Sequence, residues 1–502
     1  MKFCFHTKQF IETEIHPESL AVIDSRRELT WHQFRKESDA ICTYFKNQGW
    51  DHHDKPVIIY GHKQAEMITA MYAMMQLGIA YIPIDHLYPI ERIATVRRLA
   101  SNEIIINCGT LPLKFDESTE IHLDGETIQS IQATSFISKN QIKSSDPLVY
   151  IIFTSGSTGE PKGVQISTEA VRSFTHWMTH DFGFTPSDVF INTAVFSFDL
   201  SVFELMTFGA LGATLLMNDS DTTTNTEKLI TRIEKYHGSI WVATPSFALA
   251  YTRLGNDARL DCVKYFLFCG EVLPHSVASN LNRIFPQAKI YNTYGPTEAT
   301  VATTLIEINK DILDCYNPLP VGYLKPGTEI IIDKENPEDK EGEMIIAGDN
   351  VSLGYLNNKE MSEEKFFVHQ GKRAYCTGDL GYFENNLLFC AGRNDDQIKF
   401  KGFRIELNEI TNVIRRHDQV LNAVTVGLKR NNEVKKIVTF VIPKTKSDVD
   451  AVKESIIHHA TQFLPFYMVP GDLFFVDDFP YNLNFKIDTK MLIEIYLNYN
   501  LT

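Results

Sequence analysis

The stretch Tyr150–Gln165, YIIFTSGSTGEPKGVQ, limits what this 502-residue chain can fold into more than any other. An apolar run, Leu148–Phe153, reads as a short buried strand. It opens into a loop of Thr154, Ser155, Gly156, Ser157, Thr158 and Gly159, followed by Pro161, Lys162 and Gly163. Glycines let the backbone take φ > 0 and bring its N–H groups close to an anion. The hydroxyls add donors, and Lys162 adds a mobile positive charge. A strand that ends in such a loop is what the phosphates of a nucleotide need. The loop is not a Walker A motif, which requires Gly-Lys-Ser/Thr, because Pro161 precedes the lysine and Gly163 follows it. Taken alone, a Gly/Ser surface loop has the same composition.

The rest of the chain alternates between strand and helix patterns. On the N-terminal side, Ala21–Asp24, Pro56–Tyr60, Ala80–Ile84 and Glu103–Asn107 are predicted strands. Between them the pattern predicts a helix after a Thr30 N-cap, then helices over Gln64–Leu77 and Pro89–Leu99. Residues 110–146 are polar and read as an irregular link. Beyond the glycine loop the alternation resumes, with a helix predicted over Leu200–Leu211 and Gly212 as the break after it. This is the pattern of an open, mostly parallel sheet, in which ligands sit at the carboxyl ends of strands. Asp199, Thr244-Pro245, Cys269-Gly270-Glu271 and the stretch after Asn292 fall at such ends. From about 318 short strands alternate with turns, which predicts a small β-barrel. The fold class is therefore α/β: a large N-terminal domain of mostly parallel sheets with helices plus a small β-barrel, over 1–394. A small C-terminal α+β domain follows over 395–502, hinged in the polar segment Gly392–Gln397.

Composition narrows the function classes. A formal net charge of −15 disfavours general nucleic-acid binding, which needs a basic surface. The longest apolar window, around Met67–Ile84, is broken by Gln76 and Pro83, so no membrane insertion is expected. The eight cysteines show no C-x-x-C pair and read as reduced thiols of a cytoplasmic protein.

Further stretches carry chemistry. NTYGPTE, Asn292–Glu298, offers an aromatic ring for a base, an amide for an exocyclic amine, and Glu298 as a hard oxygen for Mg²⁺. YCTGDL, Tyr375–Leu380, places Asp379 where a carboxylate can accept both ribose hydroxyls. Each alone is matched by a plain turn. Their order is distinctive: TSGSTGEPKG, FSFDLSVFE, NTYGPTE, GEMIIAGDNVSLGYL, YCTGDL, GRNDDQIKFKGFRIEL. In that order they resemble the signature set of the adenylate-forming superfamily, which includes acyl-CoA synthetases, luciferases and the adenylation domains of peptide synthetases. Within it the chain is most similar to the ligases that load D-alanine onto a carrier protein. YGHKQAEM, TPSFA, FLFCGEVLP and NTYGPTEATVA carry that likeness, and it covers essentially the full chain.

The resemblance implies roles for matching residues. Thr154, Ser155, Gly156, Ser157, Thr158 and Gly159, with Lys162, would shield the ATP phosphates. Asn292, Thr293, Tyr294, Gly295, Pro296 and Thr297 would hold adenine and the α-phosphate, with Val301 nearby, and Glu298 would bind Mg²⁺. Asp379 would hold the ribose, flanked by Cys390, Ala391, Gly392 and Arg393. Asp199 would pair with the substrate ammonium, and Cys269 beside Gly270 would line the pocket at the α-carbon. Lys486, in Asn484-Phe485-Lys486-Ile487-Asp488, would be the catalytic lysine and would also contact ATP and the amino acid. Asp395 would be the hinge residue, and the face bearing Lys401-Gly402 would admit a thiol. The implied cofactors are ATP and Mg²⁺. The implied partners are D-alanine and a phosphopantetheinylated carrier protein, with the chain acting as a cytoplasmic monomer that serves D-alanylation of lipoteichoic acid.

Two other readings stay open at this point. One is another enzyme of the superfamily, an adenylation enzyme for a different small amino acid or an acyl-CoA synthetase; a buried Asp199 speaks against a fatty acyl chain. The other is a catalytically silent binding module, favoured by Phe485, which stands where the family carries glycine.

Overall fold

The computed structural model describes residues 15–51, 53–109, 119–131, 148–156, 160–252, 257–393, 397–430, 433–444, 449–480 and 487–500. The chain divides into two compact units. The larger comprises Met1–His86, Arg97–Phe153 and Gly163–Asn394; the smaller comprises Leu87–Val96, Thr154–Lys162 and Asp395–Thr502.

The larger unit is built on two sheets of apolar runs. In the nine-stranded sheet the order is Tyr323–Leu324, Thr304–Glu307, Lys289–Tyr294, Tyr265–Phe268, Ile240–Ala243, Val189–Asn192, Thr214–Met217, Leu20–Ile23, Glu28–Thr30. Its central pairings are parallel, and its edges are antiparallel. The six-stranded sheet runs Thr119–His122, Ile104–Asn107, Val57–Gly61, Tyr81–Asp85, Leu148–Thr154, Lys162–Ser167. Parallel strands are covered on both faces, which is why Val57–Gly61 and Ile104–Asn107 are buried along their whole length.

Helix ends follow their sequence signals. Thr30 caps Trp31–Asn47, accepting from the Gln33 N–H while the Gln33 side chain returns to the Thr30 N–H. Gly212 ends Leu200–Leu211 in the left-handed region at φ 73°. Every residue of Leu200–Leu211 is buried, and every residue of Ala65–Leu77 except Gln76. A helix that is apolar all round belongs inside a large core. These two helices meet where Tyr72 Oη donates to the Leu205 carbonyl at 2.7 Å. A side chain at Gly209 would come within 1.9 Å of that hydroxyl, so only glycine allows the approach.

Two elements differ from the sequence reading. The link at 110–146 contains a strand, Thr119–His122, paired in parallel with Ile104–Asn107, and a helix, Gly125–Ser130, capped by Asp124. Only Ile121 of that edge strand is buried, so its apolar signal was a single residue. Where the pattern predicts a small β-barrel, the described strands form a five-stranded antiparallel sheet. Its order is Glu329–Asp333, Gly342–Ala347, Lys372–Glu384, Phe366–His369, with Leu387–Arg393 also paired to Lys372–Glu384.

The smaller unit carries a hairpin, Gln397–Phe400 and Phe403–Glu406, that turns through Lys401 and Gly402, both at positive φ. Helix Leu407–Arg415 follows. A three-stranded sheet of Val420–Arg430, Glu433–Pro443 and Asp472–Phe475 and helices Val449–Phe463 and Thr489–Tyr499 complete an α+β body. Ile405, Ile410, Ile414, Ala423, Val441 and Ile456 form its core. Among the described residues no helix is long and apolar enough to cross a membrane.

Candidate active site

The candidate residues of the larger unit collect at the carboxyl ends of the parallel strands of the nine-stranded sheet, where such sheets bind ligands. Asp199 follows Val189–Asn192, Cys269 and Gly270 follow Tyr265–Phe268, and Asn292–Thr297 end Lys289–Tyr294. Asp199 precedes helix Leu200–Leu211, but its own backbone is helical and its carboxylate makes no cap bond. Instead Asp199 Oδ2 accepts from Thr297 Oγ1 at 2.6 Å, and both side chains are buried. Tyr150 Oη is buried among the described residues without a hydrogen-bond partner. Burial and the Asp199 carboxylate push its phenol well above the usual range.

The NTYGPTE segment is held from several directions. Asn292 Nδ2 donates to the Pro320 carbonyl at 2.8 Å, and Thr293 Oγ1 donates to the Phe268 carbonyl at 2.8 Å. Thr300 and Val301 both take positive φ, 54° and 70°. For β-branched residues this is strained, of order 1–3 kcal/mol each. Their neighbours over-determine the turn. Cys269 Sγ donates to the Val301 carbonyl at 3.7 Å, and Thr300 Oγ1 donates to the Asn350 carbonyl at 2.7 Å. A Cβ on Gly295 would lie 2.6 Å from Ala302 Cα and 2.8 Å from the Val301 oxygen, both backbone atoms. Gly295→Ala is therefore expected to destabilise the larger unit by about 1–3 kcal/mol, read as a lower urea midpoint. It should also weaken ATP binding, measured by calorimetry.

The five-stranded sheet supplies the next cluster. Its register sets Asp379 opposite Arg393 on the neighbouring strand. Arg393 Nη1 donates to Asp379 Oδ1, and Tyr294 Oη donates to Asp379 Oδ2 at 2.6 Å. Tyr294 is buried, and burial beside this carboxylate pushes its phenol well up. The ring read as a base platform is thus fixed by its hydroxyl to the ribose candidate. Gly392 takes φ 140° with open space where a Cβ would stand, while Ala391 is exposed and Cys390 half-buried.

Glu298 is fully buried, and its Oε1 accepts from Tyr355 Oη at 2.9 Å. Tyr355 lies in GEMIIAGDNVSLGYL, but nothing in the sequence pattern pointed to that tyrosine as the holder of Glu298.

Within the smaller unit the described part of the glycine loop is pinned to residues 404–409. Ser155 Oγ donates to the Arg404 carbonyl at 2.9 Å and accepts from the Glu406 N–H at 3.1 Å. The Gly156 N–H donates to Glu409 Oε2 at 3.2 Å, and the other oxygen of Glu409 pairs with Arg92. A carboxylate thus occupies a loop N–H of the kind that cradles phosphate. A Cβ on Gly156 would meet the Glu160 carbonyl oxygen at 2.0 Å. Thr154 ends the preceding strand, and half-buried Lys162 begins the next. Ser157, Thr158, Gly159, Asp395 and Lys486 lie outside the described residues.

One set of three side chains among the described residues is spaced for a metal ion: His62, Asp85 and His86. His62 already uses both nitrogens. Nδ1 lies 2.8 Å from Asp85 Oδ2, and Nε2 accepts the Ser220 N–H at 3.0 Å. That leaves His62 no lone pair for a cation, and the set is a hydrogen-bonded staple.

Comparison with known proteins places the chain. The model of the AMP-binding enzyme family matches residues 11–356, and that of the AMP-binding enzyme C-terminal domain matches residues 409–486. A D-alanine–D-alanyl carrier protein ligase of Bacillus cereus is 36% identical over 501 residues, covering 97% of this chain and 98% of the relative. One from Bacillus licheniformis is 36% identical over 513 residues, covering 98% and 99%. Among solved structures, the Vibrio cholerae adenylation domain AlmE in complex with glycyl-adenosine-5'-phosphate superposes with a TM-score of 0.80 at 23% identity. That match covers 96% of this chain and 95% of that one. The fold and the full-length likeness agree: the chain belongs to the AMP-binding enzymes, and within them to the family of the D-alanine–D-alanyl carrier protein ligases.

Proposed function

We propose that the protein activates D-alanine with Mg·ATP and passes it to the phosphopantetheine thiol of a carrier protein, acting as a cytoplasmic monomer in lipoteichoic acid D-alanylation. The observation that carries this reading is the bond between Asp199 and Thr297. It joins a carboxylate suited to an amino-acid ammonium to the motif suited to the α-phosphate, so the two reactants would meet across a single hydrogen bond.

In the first step a carboxylate oxygen of D-alanine attacks the α-phosphorus. A C–O–P link forms, the α–β phosphoanhydride bond breaks, and pyrophosphate leaves. In the second step the thiol attacks the adenylate carbonyl; the C–S bond forms, the thiol proton leaves, and AMP departs. The work of the protein in both is positioning and charge stabilisation. Asp199 would hold the ammonium. Cys269, with Gly270 beside it, would leave room for a methyl group and little more. Asn292 Nδ2 is committed to the Pro320 carbonyl, so its Oδ1 would be the atom left to accept an adenine amine. Asp379, fixed by Arg393 and Tyr294, would take the ribose. Glu298 offers a hard oxygen of the kind Mg²⁺ accepts, with Tyr355 steadying the carboxylate. Bound there, the ion supplies neutralisation of phosphate charge. Lys486 would stabilise the transition state of the first step, and a domain of 395–502 pivoting at Asp395 would withdraw it before the second.

Amino-acid-dependent ATP–pyrophosphate exchange tests the reading, with D-alanine, L-alanine, glycine, D-serine and acetate compared. Exchange with D-alanine well above the others is the expected result. Preference for another amino acid would keep the chemistry and overturn the substrate, and no exchange with any acid would mark a silent relative.

A further inference from the structure

Lysine is costly to bury, and this chain buries one beside the turn that carries Asp199. Lys63 follows strand Val57–Gly61 and is only 5% exposed. Its ammonium donates to Asn192 Oδ1 and to the Ala194 carbonyl, and it sits 4.1 Å from the centre of the Phe196 ring. Asn192 turns its Nδ2 to Ala194 at 3.2 Å and to Glu204 Oε2. Glu204 is fully buried on helix Leu200–Leu211, five residues beyond Asp199, and among the described residues its Oε1 has no hydrogen-bond partner. Burial lowers Lys63 to about 8 and raises Glu204 to about 8, with the Asp85 and Asp219 carboxylates helping to keep the lysine charged.

Each contact falls on one short stretch. Asn192 closes strand Val189–Asn192, Ala194 and Phe196 lie in the turn after it, and Asp199 ends that turn. Backbone bonds within the turn run from the Phe198 N–H to Val195 and from Ser201 and Val202 back to Phe198 and Asp199. The Asp199 carboxylate is held by Thr297 Oγ1 and makes no cap bond to its own helix. A grip on the turn's first half comes from outside it, from Lys63 just beyond strand Val57–Gly61. An ammonium has three donors, and two of them go to this turn while a ring face takes the remaining charge. A buried ion is a poor means of adding stability, since apolar replacements are often neutral or better. It is a good means of fixing one geometry.

We propose that Lys63 is a positioning residue for Asp199, acting through Asn192, Ala194 and Phe196, with Glu204 bracing Asn192 from its other side, and so sets recognition of the substrate's amino group. The inference rests on the amino-acid ligase reading above. Lys63 touches no reactant. Its effect should fall on the amino acid, and the ATP site should be indifferent to it.

The test is a double-mutant cycle on the full chain, read by pyrophosphate exchange. Lys63→Met keeps the apolar stem and removes the charge. Against the wild type it should lower kcat/KM for D-alanine about tenfold while the KM for ATP moves less than twofold. Against Asp199→Asn it should lower kcat/KM less than a further twofold, because the group it positions has already lost its charge. Equal losses in both backgrounds, or no loss against the wild type, overturn the proposal while leaving the ligase reading intact. Should Lys63→Met not fold, Lys63→Met/Glu204→Gln removes both buried ionisable groups and carries the same expectations. A wild type that exchanges no amino acid overturns the ligase reading and this proposal together.

Discussion

Asp199→Ala is expected to lower kcat/KM for D-alanine by between roughly thirtyfold and several thousandfold, which corresponds to about 2–5 kcal/mol. That is the usual cost of truncating one partner of a desolvated charge pair, most of it the penalty of leaving the other charge unpaired. The fold should survive. Asp199 does not cap its helix, and the substitution takes from Thr297 its hydrogen bond at 2.6 Å. Loss of that bond, worth on the order of 1 kcal/mol, should raise the KM for ATP only a few fold. Asp199→Asn separates the two effects. The amide still offers Thr297 an oxygen but carries no charge, so most of the loss on D-alanine should remain while the ATP term recovers. Steady-state exchange kinetics with each substrate varied in turn would check this. An Asp199→Ala enzyme within threefold of the wild type on D-alanine would remove Asp199 from the ammonium site.

Much of this fold is legible in the sequence, and the legible parts share a cause. Where a residue's role is set by its near neighbours in the chain, the sequence carries the signal. Thr30 caps a helix because Gln33 lies one turn away, and Gly212 ends a helix because the backbone there needs positive φ. Leu200–Leu211 is bounded to the residue because a mostly apolar run closes on a glycine. Thr119–His122 was missed because an edge strand with one buried side chain has no periodicity to show. Long-range partners were missed for a different reason. Tyr355 reaches Glu298 across 57 positions, and Lys63 reaches Asn192 across 129. Lys63, Glu204 and Tyr355 all lie in stretches that carried the family likeness, yet pattern alone gives a charged residue in such a stretch no address. A buried lysine is identified by what surrounds it, and only the packing of two sheets and two helices supplied that. The same holds for Tyr294. Its ring suggested a base platform, and the register that sets Asp379 opposite Arg393 shows that its hydroxyl is committed to the carboxylate between them.

That commitment makes Asp379 the second position of large effect. Asp379→Ala is expected to cost about 3 kcal/mol or more of stability and to raise the KM for ATP about a hundredfold. Two partners lose their acceptor at once: the Arg393 guanidinium, whose side chain is 12% exposed, and the Tyr294 hydroxyl, which is buried. Removing the carboxylate charge beside this largely buried guanidinium is the larger penalty, because Arg393 keeps its bond to the Thr377 carbonyl but loses its ion pair with Asp379. On the proposed ribose role of Asp379 the nucleotide would lose its acceptor as well, so binding and stability should fall together. Tyr294→Phe provides the contrast. It deletes one donor and leaves the Asp379–Arg393 pair closed, so the stability loss should be near ~1 kcal/mol and the change in ATP affinity a few fold. Arg393→Leu leaves Asp379 without its cation and should fall between the two, with the greater share of its loss in ATP affinity. Urea unfolding and calorimetric ATP binding on the three variants would order them. If Tyr294→Phe proved as damaging as Asp379→Ala, the ring would be acting directly on the nucleotide and not as a support for the carboxylate.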